Sequence, residues 1–118
     1  MSRNFLSTHE ALFRGDYLLS NNREFKAIFQ DDGNFVIYGW KPVWDSGTAN
    51  TEGVRLCMQG DGNLVIYTRA SKPVWHTNSY GDISNMCRLY LTDEGKLVVR
   101  RVFEEIWNSS NSRGKKST

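Results

Sequence analysis

The feature that most constrains the fold is a repeat of about 31 residues that occurs three times. The tetrapeptide KPVW stands at residues 41–44 and again at 72–75, and EEIW at residues 104–107 takes the third place. Repeats of this length are supersecondary units that cannot bury an apolar face alone. A chain of 118 residues built from three such units is therefore expected to form one domain.

Each unit divides into short strand candidates separated by turn-forming residues. In the first unit the strand candidates are DYLLS, EFKAIF, NFVIY and PVWDS, and NNR, DDG and GWK lie between them. Four such strands fill the period and leave no room for a helix. We therefore predict an all-β fold of three four-stranded antiparallel sheets around a pseudo-threefold axis. The trefoil is disfavoured because its repeats are longer and carry a Gln-x-Trp signature that is missing here.

Side-chain alternation along the hairpins predicts the core. The repeated tryptophans Trp44, Trp75 and Trp107 are expected to meet as a central aromatic plug. Trp40 lies outside the repeat register and is expected to be exposed. The inward-facing hairpin residues are predicted to be Phe35, Ile37, Leu64, Ile66, Leu97 and Val99.

The same hairpins carry polar residues at alternate positions. QDDGNFVIY, residues 30–38, returns as QGDGNLVIY, residues 59–67. Residues at alternate positions project together beside the Asp-Gly turn. A carboxylate, two amides, a phenol and an apolar spot suit a polyol, whose hydroxyls both donate and accept hydrogen bonds. The candidate binding residues are Gln30, Asp32, Asn34, Val36 and Tyr38 in the first unit and Gln59, Asp61, Asn63, Val65 and Tyr67 in the second.

A simpler interpretation is that Asp and Asn serve only the turn. That interpretation explains Asp32 and Asn34, but it does not explain Gln30, Tyr38 or the return of the whole set in the second unit. All five alternate positions agree between the two copies while the intervening positions differ, although shared ancestry of the repeats accounts for part of that agreement.

The pattern Q-x-D-x-N-x-V-x-Y resembles the signature of the bulb-type (monocot) mannose-binding lectins, over about residues 12–107. The KPVW spacing resembles the lily-type lectins of fish skin mucus, the pufflectin group. The resemblance implies a β-prism II fold and binding of terminal α-mannose and mannose-rich glycans without a metal or other cofactor. It also implies that Asp and Asn bind the axial 2-hydroxyl, Gln the neighbouring hydroxyls and Tyr the 4-hydroxyl. A role in surface defence against microbes or parasites would follow.

The third copy departs from this pattern. In register it reads Thr92, Glu94, Lys96, Val98 and Arg100. We predict that this unit keeps the fold and has lost mannose binding, with Lys96 paired to Glu94 across the turn. Two further interpretations remain open, a solvated basic face and a site for an anionic ligand or protein partner. The basic residues concerned are Arg88, Lys96, Arg100 and Arg101.

Several classes of function are excluded at this stage. A net charge of +2 is too small to indicate a nucleic-acid partner, and no apolar run reaches the length of a membrane helix. Paired catalytic carboxylates, a nucleophile with its base and a metal-binding cluster are all missing from the pattern, so we expect no enzyme. Cys57 and Cys87 fit one disulfide or two thiols; the family's bridge is not carried over, because Gly62 stands at the position of its second cysteine.

The ends of the chain carry the remaining expectations. Residues 1–112 are expected to form a single domain with three internal repeats, and residues 113–118 a flexible basic tail. By resemblance, the protein would be a homodimer that exchanges residues 105–112. No secretory signal is visible in the first fifteen residues, so leaderless export to a secreted or mucosal location is expected by resemblance, and a cytoplasmic location otherwise.

Overall fold

In the computed structural model, residues 2–83 and 86–117 are described, and they form short strands without a helix. No segment of this part of the chain is therefore a helix that could span a membrane. The strands are β1 (Phe5–Ser7), β2 (Ala11–Phe13), β3 (Tyr17–Leu19), β4 (Lys26–Phe29), β5 (Phe35–Tyr38), β6 (Pro42–Asp45), β7 (Gly53–Met58), β8 (Leu64–Thr68), β9 (Pro73–His76), β10 (Cys87–Leu91), β11 (Leu97–Arg101), β12 (Glu104–Asn108) and β13 (Lys115–Lys116).

These strands form three antiparallel sheets, one for each repeat. The first sheet has the order β3-β4-β5-β6, the second β13-β9-β8-β7-β2 and the third β1-β10-β11-β12. The prediction of an all-β fold with three sheets is confirmed. The second sheet differs from the expectation because it has five strands instead of four.

The N-terminal segment ties the three repeats together. Its three successive strands enter three different sheets: β1 pairs with β10, β2 with β7 and β3 with β4. The first unit supplies all four strands of its sheet, as predicted, whereas the second and third units each receive one strand from this segment. Closure of the domain therefore depends on contacts between residues more than forty positions apart, such as Leu12 opposite Leu56.

The core lies where the three sheets face each other. The six hairpin residues predicted to face inwards are all fully buried. The rings of Trp44, Trp75 and Trp107 meet edge to face, with centroids 6.0 to 6.3 Å apart. Edge-to-face contact places the positive edge of one ring against the negative face of the next. The predicted tryptophan plug is therefore confirmed, and Trp40 is fully exposed as expected.

The C-terminal segment differs from the flexible tail that the sequence predicts. Strand β13 pairs with β9, and the indole Nε1 of Trp75 donates to the carbonyl of Arg113 at 2.8 Å. The guanidinium of Arg113 also contacts the carboxylate of Asp45 on β6. The basic residues are held because the exposed edge of β9 offers unpaired backbone groups. Polar composition alone did not reveal that edge.

Both cysteines are free thiols, which decides between the two alternatives left open by the sequence. Cys87 is buried in the core cluster and Cys57 is half-buried. Burial raises the pKa of the Cys57 thiol, with Arg55 opposing that effect.

Candidate functional site

The turn between β4 and β5 places the first set of predicted site residues. Gln30 N donates to Asn34 O at 2.8 Å, and Gly33 N donates to Gln30 O at 3.0 Å. Gly33 has a φ of +87°, which a residue with a side chain rarely adopts. Asp32 Oδ1 accepts from Asn34 N at 2.9 Å, so one carboxylate oxygen is used by the turn and the other is left for a ligand.

The second unit repeats this geometry closely. Gln59 N donates to Asn63 O at 3.0 Å, and Asp61 Oδ1 accepts from Asn63 N at 2.9 Å. Gly62 has a φ of +89°. The turn interpretation therefore accounts for one oxygen of each aspartate, but it does not account for the side chains of the other polar residues of the set.

The glutamine and tyrosine of each unit are joined by a hydrogen bond. Nε2 of Gln30 donates to the hydroxyl of Tyr38, and Nε2 of Gln59 donates to the hydroxyl of Tyr67. A phenol that accepts from the amide still has its own proton to donate, and the amide oxygen remains an acceptor. The pair therefore presents one donor and one acceptor.

The asparagine side chains are held by the segments that directly follow β6 and β9. Oδ1 of Asn34 accepts from Ser46 Oγ at 3.2 Å and from Thr48 N at 3.0 Å. In the second unit Oδ1 of Asn63 accepts from Thr77 Oγ1 and from Ser79 N, both at 3.2 Å. With the amide oxygen occupied in this way, the amide nitrogen is the remaining hydrogen-bonding group of each side chain.

The hydroxyl residues that fix the asparagines are themselves part of a network. Ser46 Oγ accepts from Phe35 N at 3.1 Å and lies 2.7 Å from Thr48 Oγ1, which donates to Gly33 O at 2.6 Å. Thr77 and Ser79 repeat these contacts in the second unit. The sequence analysis missed these four residues because they lie beyond the ends of β6 and β9, and their hydrogen bonds span 12 to 17 positions along the chain.

The two sites differ at one neighbouring residue. Asp45 lies opposite Val36 on β6, and His76 lies opposite Val65 on β9. Nδ1 of His76 is 3.1 Å from Nδ2 of Asn63. Burial raises the pKa of Asp45, but hydrogen bonds from Arg113 and from Gly47 N outweigh this effect, so the pKa lies below its ordinary value.

The valines contribute less surface than the sequence suggests. Val36 is 4% exposed and Val65 is 3% exposed. Their neighbours on the outer face cover them, so each offers a ligand a small apolar spot and acts mainly as packing.

A register shift lies at the same point in each sheet. It falls between Ile37 and Tyr38 in the first unit and between Ile66 and Tyr67 in the second. Bulges of this kind re-aim the next side chain. The shift therefore changes the direction of the tyrosine side chain, whose hydroxyl accepts from the glutamine.

Arginines from other parts of the chain clamp the two turns. Arg14 donates to the carbonyls of Asp31, Thr51 and Gly53 around the first turn. Arg101, on the third sheet, donates to the carbonyl of Asp61 at 2.7 Å. Arg101 therefore supports the second site and does not belong to the basic face of the third sheet.

The third unit lacks this constellation, as its sequence predicts. The backbone turn persists, with Thr92 N donating to Lys96 O at 2.8 Å and Gly95 N to Thr92 O at 3.0 Å. The ion pairs of the described residues are Arg3–Glu10 and Arg113–Asp45, so the expected pair of Lys96 with Glu94 does not form. The backbone N–H of Lys96 donates to Thr92 Oγ1 at 3.2 Å.

The site is assembled from uncharged and acidic groups that act as hydrogen-bond donors and acceptors. Within residues 2–83 and 86–117, no group of three or more His, Cys, Asp or Glu side chains is arranged to hold a metal ion. Any ligand of these two sites therefore meets side-chain amides, a carboxylate and a phenol.

Comparison with known proteins places this arrangement in a family, although no protein-family model matches the sequence. Plumieribetin, a B-type lectin of Scorpaena plumieri, is 55% identical over 113 residues, which cover 96% of this chain and 100% of plumieribetin. A mannose-specific lectin of Aloe arborescens is 31% identical over 112 residues, covering 93% of this chain and 99% of that lectin.

Solved structures agree with these similarities. A monomeric monocot mannose-binding lectin from Gastrodia elata superposes with a TM-score of 0.80 at 30% identity, over 92% of this chain and 98% of that one. The snowdrop (Galanthus nivalis) agglutinin complexed with methyl-α-D-mannoside superposes with a TM-score of 0.75 at 34% identity, over 83% and 89%.

Fold and site together define a three-sheeted lectin of the β-prism II type. The chain belongs to the B-type, or bulb-type, lectin family. The resemblance drawn from the repeated motif is thereby confirmed. Membership of a lectin family also confirms the expectation that the protein is not an enzyme.

Proposed function

We propose that the protein binds terminal α-mannose and mannose-rich glycans, without a metal ion, at two sites in each chain. One site consists of Gln30, Asp32, Asn34, Val36 and Tyr38. The other consists of Gln59, Asp61, Asn63, Val65 and Tyr67. The observation that carries the proposal is that both units build the same set of outward-facing donors and acceptors through the same internal hydrogen bonds.

The chemistry of each set matches the hydroxyls of a sugar. A carboxylate oxygen of Asp32 accepts, the amide nitrogen of Asn34 donates, the amide oxygen of Gln30 accepts and the Tyr38 hydroxyl donates. Hydrogen bonds to a charged group are worth about 1.5–3 kcal/mol, against about 1 kcal/mol for neutral pairs. The aspartate is therefore expected to dominate affinity and to select the hydroxyl that it meets.

Selection among hexoses follows from the same groups. A sugar whose 2-hydroxyl is equatorial leaves the aspartate and asparagine of each site without a partner, and unpaired polar groups reduce affinity strongly. We therefore expect the α-glucoside, which differs from the α-mannoside at that carbon, to bind far more weakly. Relatives support this choice, since the Aloe arborescens lectin is described as mannose-specific.

Affinity at one shallow site is expected to be on the order of millimolar, or about −4 kcal/mol. Two sites on one chain can act together on a branched glycan, and such linkage adds factors of roughly 10² to 10⁴. A homodimer would double the number of sites. The family resemblance supports such a dimer, with exchange of residues 105–112; a molar mass in solution near twice 13.6 kDa would test it.

Recognition of mannose-rich surfaces gives the proposal its biological setting, defence at a secreted or mucosal surface. Multivalent binding supports this role, because microbial and parasite surfaces present many copies of a terminal sugar. Agglutination of mannan-coated beads by the protein, and its inhibition by methyl α-mannoside, would test the multivalent part.

The decisive test of the function is calorimetric titration with methyl α-mannoside, with and without EDTA. We expect binding by the wild type that EDTA does not change and that methyl α-glucoside does not reproduce. Asp32→Asn and Asp61→Asn should each remove one site, and the double variant both. Full binding by the double variant, or heat that EDTA abolishes, would overturn the proposal.

A further inference from the structure

The third sheet carries a hollow that mannose recognition does not explain. Its volume is about 320 Å³, and it lies on the outer side of β1, β10 and the loop between β11 and β12. Its lining includes Ser7, Thr8, Arg88, Tyr90, Arg100 and Phe103. The walls thus combine hydroxyl groups, two guanidinium groups and aromatic rings.

The same place in the other two sheets shows what has changed. Lys26 lies opposite Tyr38 in the first sheet, and both line a hollow beside Gln30. Arg55 lies opposite Tyr67 in the second sheet, with its guanidinium 5.1 Å from the centre of the phenol ring. In both units the residue opposite the cation is an uncharged tyrosine, and the Lys26 ammonium lies 4.3 Å from the centre of a different ring, that of Tyr17.

In the third sheet the cation faces a second cation. Arg88 lies directly opposite Arg100, which stands where the other units have tyrosine. Like charges directly opposite each other on neighbouring strands are destabilising. An anion between the two guanidinium groups would remove that repulsion and form charge-assisted hydrogen bonds with both.

Each guanidinium group contacts a neighbouring group that carries no charge. That of Arg88 lies 4.6 Å from the centre of the Phe5 ring. That of Arg100 donates to the backbone carbonyl of Phe103 at 3.0 Å. Two arginines already oriented in this way lose less side-chain freedom when they bind a ligand.

The nearby carboxylates are engaged with other residues. Glu10 forms an ion pair with Arg3 at 2.8 Å and accepts from Ser7 N at 2.8 Å. The carboxylate of Glu105, on β12, accepts from Asn108 Nδ2 at 2.9 Å. Among the residues that the structure describes, the ion pairs are Arg3–Glu10 and Arg113–Asp45, so neither guanidinium of the hollow forms one. Two carboxylates lie near them, since Arg88 helps to lower the pKa of Glu10 and Glu105 lies opposite Arg100 on β12.

We propose that Arg88 and Arg100 bind the acidic group, a carboxylate or a sulfate, of an acidic saccharide in this hollow. The hydroxyls of Ser7, Thr8 and Tyr90 suit the remaining hydroxyls of the sugar. The ring of Phe103, 90% exposed, offers an apolar face to the C–H groups of a sugar ring. This site is separate from the two mannose sites and does not depend on mannose binding.

The test compares three related ligands by titration calorimetry. 3′-Sialyllactose supplies a carboxylate, 3′-sulfolactose supplies a sulfate, and lactose is the neutral counterpart of both. The variants are Arg100→Tyr, which restores the residue found in the first two units, and Arg88→Gln. Arg69→Gln, an exposed charge on the equivalent hairpin of the second sheet, is the matched control. Methyl α-mannoside binding and Tm report whether each variant remains folded.

We expect at least one acidic trisaccharide or disaccharide to bind about tenfold or more tightly than lactose, with an affinity that falls as salt rises. Each variant should reduce that affinity about tenfold, with mannoside binding unchanged, and Arg69→Gln should have no effect. Whether the carboxylate or the sulfate ligand binds identifies the acidic group.

Three results would overturn the proposal. In the first, neither acidic ligand binds more tightly than lactose. In the second, the binding survives both arginine variants. In the third case, inorganic sulfate would compete as well as 3′-sulfolactose, which would show that the hollow binds an anion without recognising the sugar.

Discussion

Asn34 and Asn63 each stabilise the turn and, in the proposed function, also bind the ligand. The amide oxygen of each accepts hydrogen bonds from the segment after β6 or β9, which fixes the orientation of the amide group. The repeated sequence pointed to both residues as candidates. It could not identify Ser46 and Thr77, because Ser and Thr beside a tryptophan give no signal until the strand is paired.

Substitution of Ser46 tests this role at the level of one hydroxyl. Ser46→Ala removes a bond to the Asn34 oxygen and leaves the buried N–H of Phe35 unpaired. We expect a loss of about 1–3 kcal/mol in the free energy of unfolding and weaker mannose binding at the first site. Calorimetric titration and chemical denaturation measure the two effects.

Ser109→Ala is the matched control. Ser109 Oγ accepts from Leu97 N at 2.8 Å in the third sheet, the same bond as in the first sheet, but no predicted mannose site lies there. A similar loss of stability with unchanged mannose binding is expected. If both variants weaken mannose binding equally, the effect is one of general stability and the positioning role is wrong.

At the scale of the element, strand β13 closes the second sheet and covers the tryptophan plug. Gly114 has a φ of +81° and lies directly against the ring of Trp75, so a side chain there meets both backbone strain and a steric clash. Gly15 has a φ of +94° with open space around it. Substitution of each glycine by alanine therefore distinguishes the effect of backbone strain from that of a steric clash.

We expect Gly15→Ala to lower the free energy of unfolding by roughly 1 kcal/mol, the effect of backbone strain alone. Gly114→Ala should lower it further and expose the Trp75 indole N–H, which now donates to Arg113. Hydrogen exchange of that indole proton is the measurement. Equal protection in both variants would show that β13 stays in place without this close contact.

The ion pair between Arg113 and Asp45 makes the attachment of this segment depend on pH. Because the pKa of Asp45 is lower in the folded state than its ordinary 3.8, ionised Asp45 stabilises the fold fully above that value. The stabilisation is lost as the pH falls through the lower folded pKa. We expect the difference in Tm between the wild type and Arg113→Ala to be constant at neutral pH and to shrink below pH 3.8.

Arg69→Ala provides the control for this pH dependence, because Arg69 is exposed and Asp45 does not contact it. Its effect on Tm should not follow the titration of Asp45. A Tm difference for Arg113→Ala that persists unchanged through acid pH would mean that Arg113 acts instead through its packing and through its Nε, which donates to the backbone carbonyl of Asp45 at 2.8 Å.

At the scale of the whole molecule, the repeat predicted the fold class, the three sheets, the buried hairpin face and the tryptophan plug. These features follow from local alternation and from a period visible in one chain. The placement of β1 in the third sheet and of β2 in the second did not follow, because each of these strands is three residues long and pairs with a strand far along the chain. The reach of Arg14 and Arg101 into neighbouring turns is equally non-local.

The three units share one fold but are expected to differ in the ligands that they bind. In the proposed function the first and second bind mannose, and the third has lost the aspartate, the asparagine and the tyrosine that would bind it. Pseudo-threefold symmetry by itself would place a sugar in all three. The positions of bound sugars therefore distinguish the residue-level account from one that rests on the fold.

The most direct measurement is a crystal structure of the protein soaked with methyl α-mannoside. The account predicts one sugar beside Asp32 and Asn34, a second beside Asp61 and Asn63, and none at Glu94 and Lys96. Sugar at the third unit, or at neither of the first two, would contradict it.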